Sequence, residues 1–113
     1  MIRASAQEIA NALGAELRGD GGLEVTGSVE TDSRLVTLGG AFFAKPGEQA
    51  DGHDFVADAK KNGAVLAVVQ RQVNVDIAQL IVNDSVLALG QLASWLISVL
   101  KSKGKLKVVG ITG

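Results

Sequence analysis

Val65-Leu66-Ala67-Val68-Val69 is an unbroken apolar run of strand length. A strand with one wet face alternates apolar and polar side chains, so a run without alternation suits a strand covered on both faces. We therefore expect a central strand here, with other elements on either side of it. Upstream, His53 or Asp54 opens a helix. Asp54 is the expected N-cap, Phe55, Val56 and Ala59 supply the apolar face, and Gly63 is the stop. Downstream, Gln79-Leu80-Ile81-Val82 reads as a further strand, and Asn83-Asp84 caps a long helix over residues 85–101. Leu89, Leu92, Ala93, Leu96, Val99 and Leu100 form a wide apolar stripe on that helix, and Trp95 is most simply core. A closing strand is expected from Leu106 to Ile111.

The first half is built from shorter pieces. Ser5-Ala6-Gln7-Glu8 fits a capping box, Ile9, Ala12 and Leu13 follow at helical spacing, and Gly14 can end the turn. That predicts a helix over residues 5–14, then a short strand at 15–18 and a turn at 19–22. Leu23, Val25, Gly27 and Val29 alternate, which predicts one strand over 23–29. Ala41-Phe42-Phe43-Ala44 is another short strand. Residues 45–52 are a loop in which Pro46-Gly47 favours a type II turn. Strands alternating with helices indicate an α/β fold, and the closely spaced strands of the first half suggest some antiparallel pairing. The expected architecture is a mixed sheet with about three helices packed on it.

Composition removes several functional classes. The 113 residues suit one compact domain. A net charge of −1 gives no electrostatic case for nucleic acid, and the absence of tyrosine makes base-stacking platforms a poor fit. With no cysteine and one histidine, disulfides, thiolate metal sites and multi-histidine sites are out. No apolar run approaches the ~20 residues of a membrane span, and the N-terminus lacks a signal-peptide core. A cytoplasmic location without membrane insertion is expected.

Three places could carry chemistry. Thr31-Asp32-Ser33-Arg34 sets two hydroxyls, a carboxylate and a guanidinium at a strand-to-loop junction. It reads either as a polar ligand site or as a turn in which Asp32 and Ser33 bond nearby backbone. Gly47 to His53 reads either as a loop whose glycines let amides approach a ligand or as a plain surface connection. His53 is a base, a ligand, or a capping or solvated residue, and Lys45 could meet a phosphate or simply be solvated. Last, Val108-Val109 runs into Gly110-Ile111-Thr112-Gly113, which is either an ordinary strand end or the opening of a phosphate loop whose lysine and hydroxyl would come later.

The order of these motifs resembles the N-terminal domain of the Mur ligases. The resemblance runs through Thr31-Asp32-Ser33-Arg34, Phe42-Phe43-Ala44 with Gly47, Asp51-Gly52-His53-Asp54-Phe55, Ala59 and Gly63-Ala64. Ile81-Val82-Asn83-Asp84 followed by Ala88-Leu89-Gly90-Gln91-Leu92-Ala93 looks most like the MurF branch, which adds D-alanyl-D-alanine to UDP-N-acetylmuramoyl tripeptide. The MurE branch is the nearest rival, and a stand-alone small-molecule-binding or interaction domain is the alternative from another class.

The resemblance implies a UDP-muramoyl-peptide-binding domain over residues 1–105. Residues 106–113 would then open a central ATPase domain, with Gly110, Thr112 and Gly113 at the start of the ATP phosphate loop. The expected partners are the UDP-N-acetylmuramoyl peptide and the ligase's own central and C-terminal domains. ATP and Mg2+ would serve the parent enzyme. This stretch by itself would bind neither, would carry no catalytic or metal-ligating residue, and would have no ligase activity. The substrate contacts implied by the family pattern fall on Thr31, Ser33 and the loop Glu48-Gln49-Ala50. Arg34 and Lys45 are added on charge grounds, for the diphosphate. The related loop carries a histidine in MurE where Glu48 stands here. A carboxylate there suits a uracil or ribose group, or solvent, better than a phosphate.

Overall fold

In the computed structural model, which describes residues 3–47 and 50–102, the apolar run becomes the middle of a five-stranded sheet. The elements in chain order are β1 (Ala4–Ser5), α1 (Ala6–Leu13), β2 (Glu16–Arg18), β3 (Glu24–Val25), β4 (Val29–Glu30), β5 (Ala41–Phe43), α2 (Val56–Lys61), β6 (Leu66–Val69), β7 (Ala78–Ile81) and α3 (Ser85–Ser102). Short 3₁₀ turns at Ser33–Leu35 and Gly52–Phe55 precede β5 and α2 respectively. The sheet order is β2-β7-β6-β5-β4, parallel from β4 through β7 and antiparallel at β2. The mixed α/β sheet and its three helices are thus as expected.

Every side chain of β6 is buried, so both faces of the sheet must be covered. Alternation along the strands divides the core accordingly. Phe43, Leu66, Val68 and Leu80 pack with Ile9 and Leu13 of α1 and with Ala88 and Leu92 of α3. Phe42, Ala67 and Val69 point the other way, onto Val56 and Ala59 of α2. Trp95 sits half-buried against the first of these clusters. Ala93 departs from the expected stripe and is exposed, because it lies one residue, about 100° of helix rotation, beyond buried Leu92.

The helix ends follow local chemistry. Ser5 Oγ accepts from the Glu8 amide at 3.1 Å, and Glu8 Oε1 accepts from the Ser5 amide at 2.9 Å, completing the capping box. Gly14 closes α1 in the left-handed conformation. Asp84 Oδ1 accepts from the amides of Val86 and Leu87 at the start of α3. At α2 the expectation needs correction. Asp51, not Asp54, is the capping carboxylate, and it caps the 3₁₀ turn that precedes the helix. Phe55 is the helix's own N-cap and makes no side-chain capping bond.

The single strand predicted for 23–29 is two strands in two sheets. β3 pairs antiparallel with β1, whereas β4 pairs parallel with β5. The amides of Thr26 and Gly27 both donate to Gly39 O at 3.0 Å, which pins the chain between the two strands. Gly27 is essential to this crossing, since a Cβ there would stand 2.5 Å from Leu38 O. The alternation was real, but a long-range backbone contact interrupts it.

Two substitutions should rank clearly in equilibrium urea unfolding. Phe43→Ala, 1% exposed in the main core, should cost about 3–5 kcal/mol. Ser5→Ala, which removes a cap but little buried surface, should cost about 1 kcal/mol. Equal losses would contradict this division between core and cap.

Candidate functional site

Parallel strands leave their carboxyl ends on one rim of the sheet, the usual place for a ligand crevice in open α/β folds. Here the segments leaving β4 and β5 enclose a cleft of about 560 Å³. Thr31, Ser33 and Arg34 come from the first segment, and Lys45 and Ala50 from the second. All five are sequence-predicted site residues, and the fold brings them together from two loops. Glu48 and Gln49 lie outside the described residues. So do Gly110, Thr112 and Gly113, the strand expected over 106–111 and the boundary expected after residue 105.

The first loop is shaped by its own polar groups. Asp32 caps the Ser33–Leu35 turn by accepting from the Arg34 amide at 2.9 Å. The Arg34 guanidinium also closes on Asp32, with Nε 3.0 Å from Oδ1 and Nη2 2.8 Å from Oδ2. The side-chain bond from Arg34, followed by its backbone bond, lowers the Asp32 carboxyl to about 2. The turn and the cleft-lining segment are therefore one structure. The fork of Arg34 is already engaged by a carboxylate, which reduces its positive potential toward an anion. Thr31 is exposed and Ser33 is buried, so the two hydroxyls are not equivalent positions. Asn62, at the end of α2, donates through Nδ2 to Ser33 O at 2.8 Å and fixes the turn from the opposite side.

The second loop closes tightly on itself. The Gly52 amide donates to Lys45 O at 2.8 Å, and a Cβ on Gly52 would stand 2.5 Å from Lys45 N. Glycine is needed for that approach. Gly47 does not take the left-handed backbone that a type II turn requires, and a Cβ there would run into the Ala50 carbonyl. Lys45 is exposed on the cleft and forms no ion pair with another described residue. It is a better source of positive potential for the cleft than Arg34.

His53 is neither solvated nor part of the cleft wall. Its side chain is 1% exposed, with Nδ1 2.7 Å from Asp51 Oδ1. Nε2 accepts from the Gln70 amide at 2.8 Å. Asp51 Oδ1 also accepts from the His53 amide at 3.0 Å, and Oδ2 accepts from Arg71 Nη2 at 2.9 Å. The backbone bond from His53, then its ring, then Arg71 hold the Asp51 carboxyl far below the ordinary range.

Sequence reasoning missed Phe42, Phe55 and Asp58, which also line the cleft. Phe55 was assigned to the inner face of the helix. The 3₁₀ turn before α2 advances the chain at three residues per turn, so Val56 and Ala59 go inward while Phe55 stays 39% exposed. The capping signal at Asp51, three residues before Asp54, was the cue for that turn.

The Asp32 pairing has a pH signature. A carboxyl lowered from 3.8 to about 2 contributes stability above the unfolded value, and that contribution is lost as pH falls through the folded one. Stability should therefore rise with pH between about 2 and 4. Acid unfolding followed by circular dichroism should show a shallower rise in Asp32→Asn than in the wild type.

Comparison with known proteins agrees with this architecture. The model of the Mur ligase family, catalytic domain, matches residues 25–103. The UDP-N-acetylmuramoyl-tripeptide–D-alanyl-D-alanine ligase of Escherichia coli K12 is 38% identical over 100% of this chain, which covers 24% of that protein. The same ligase from Haemophilus influenzae is 36% identical, again over 100% of this chain and 24% of its own length. The chain thus spans about a quarter of the length of the curated relatives it matches. Among solved structures, MurF from Acinetobacter baumannii superposes with a TM-score of 0.70 at 37% identity, covering 80% of this chain and 20% of that one. Given a family match over most of the chain, whole-chain identity to two of its members and a shared sheet, this chain belongs to the Mur ligase family.

Proposed function

We propose that this chain forms the UDP-substrate-binding part of an ATP-dependent ligase that adds D-alanyl-D-alanine to UDP-N-acetylmuramoyl tripeptide, a step in making peptidoglycan precursors. The observation that carries this reading is the extent of the likeness. Identity to the D-alanyl-D-alanine ligases runs over 100% of the chain. For the diaminopimelate ligase of Halalkalibacterium halodurans it runs over 76%, at 36% identity. The reading favours the MurF branch over MurE on that ground.

The cleft has suitable chemistry for a nucleotide sugar. The Lys45 ammonium supplies a cation for the diphosphate, and the hydroxyls of Thr31 and Ser33 supply donors and acceptors for neutral groups. Ala50 and Gly52 line the second wall with little side chain, and Glu48 and Gln49 are assigned to the same loop from the family pattern. Arg34 serves chiefly by holding Asp32, and with it the turn that carries Ser33. A substrate held by this remote handle would have its reacting carboxylate positioned elsewhere in the ligase, which is how non-reacting contacts assist a reaction.

ATP and Mg2+ go with the whole ligase in this reading, as does a cytoplasmic site of action. One solved relative, MurF from Thermotoga maritima, is described in complex with ADP. The described residues offer no group of three His, Cys, Asp or Glu that could hold a metal ion, and no step through either cofactor is assigned to them. No helix among them is long and apolar enough to cross a membrane.

The full-length protein should release phosphate from ATP only when UDP-N-acetylmuramoyl tripeptide and D-alanyl-D-alanine are both supplied. Incorporation of diaminopimelate into the dipeptide precursor instead would reassign it to the MurE branch. Removing a charge-assisted contact costs roughly 1.5–3 kcal/mol. Lys45→Ala should accordingly weaken binding of the UDP-muramoyl peptide about ten- to a hundredfold in calorimetric titration. An unchanged affinity would remove Lys45 from the site.

A further inference from the structure

We propose that His53 is a positioning residue for the nucleotide-sugar site, latching the loop that carries Lys45 and Ala50 to the carboxyl end of β6. This inference rests on the cleft being the UDP-substrate site. A backbone N–H can only donate, so the Gln70 amide makes Nε2 of His53 an acceptor. The ring proton then lies on Nδ1 and is donated to Asp51 Oδ1. A doubly protonated ring would have no lone pair for Gln70, so the arrangement selects one neutral tautomer. Both ring nitrogens are occupied and the side chain is almost wholly buried, which leaves no route for proton exchange with a substrate in the cleft. Its chemistry is therefore that of a clamp.

The clamp reaches in both directions. Toward the cleft, Asp51 is joined to the loop end where Gly52 meets Lys45. Arg71, just beyond β6, grips the second oxygen of Asp51. Away from the cleft, the Gln70 side chain accepts from the amide and hydroxyl of Ser85 at 3.0 and 3.2 Å. Ser85 is 1% exposed at the first turn of α3. The loop is thereby tied through His53 and Gln70 to two regular elements, β6 and α3. A loop ordered beforehand spares the ligand the entropic cost of ordering it, so the latch should act on affinity for the nucleotide substrate.

The test uses the full-length ligase and measures kcat together with the KM for UDP-N-acetylmuramoyl tripeptide and for ATP. His53→Asn keeps an amide donor near Asp51, whereas His53→Gln keeps an acceptor near Gln70, so each cuts the latch at one end. Both should raise the KM for the UDP substrate about tenfold or more, with kcat and the KM for ATP changed by no more than about twofold. A merely structural role would lower the melting temperature and the active fraction, reducing kcat while leaving both KM values alone, and that pattern overturns the inference. If neither variant folds, Arg71→Ala decides, because that side chain is 60% exposed and its loss cannot empty the core. It should raise the same KM by about two- to fivefold, and an unchanged value overturns the inference. Wild-type protein that fails to bind the UDP-muramoyl peptide overturns the functional reading itself. Wild type and variants that bind it equally well overturn only the latch.

Discussion

The complete burial of β6 is the constraint on which the rest of the structure depends. A strand with no polar side chain cannot show either face to water, so the chain must supply cover on both sides. α1 and α3 cover one face and α2 covers the other. The pairing of β6 with β5 and β7 is parallel, which demands crossovers and aligns the carboxyl ends of the strands. The cleft at those ends follows from that alignment. Its walls are the loops that the crossovers require, so burial of four apolar side chains is linked to the position of a polar site.

Loops are ordinarily the mobile part of such a fold, and here they are restrained by side-chain bonds to backbone. Asn62 holds the Ser33 turn from the end of α2, and His53 holds the neighbouring loop from the end of β6. Each restraint comes from the end of an element that packs in the core. The same economy governs charge. Arg34 neutralises Asp32 within its own turn, whereas Lys45 faces the cleft without a described ionic partner. Two cations that look alike in the sequence therefore have different parts, one structural and one available to an anion.

Much of this was legible in the residues. The β6 run, the capping box at Ser5, the cap at Asp84 and the strands flanking β6 depend on neighbours within a few positions, and local spacing is enough to find them. Thr31, Ser33, Arg34, Lys45 and Ala50, named as site residues from the sequence, line one cleft. Thr31, Ser33 and Ala50 came from motif order and Arg34 and Lys45 from charge, since no local rule brings Ser33 beside Lys45. Phe55 was not found because it was placed on the apolar face of a helix, whereas it closes the 3₁₀ turn that precedes α2.

The sequence by itself determined which segments could be strands or helices, because periodicity and caps are properties of short windows. It also determined that β6 must be central, since no solvated face fits its composition. Tertiary structure alone decided that residues 23–29 divide between two sheets and that His53 is buried between a carboxylate and a backbone amide. The physical reason is common to both. Each turns on hydrogen bonds that compete with local preference: the Gly39 carbonyl lies twelve residues beyond Gly27, and the Gln70 amide lies seventeen beyond His53. Local windows hold no record of such partners, because only the closed sheet brings them within reach.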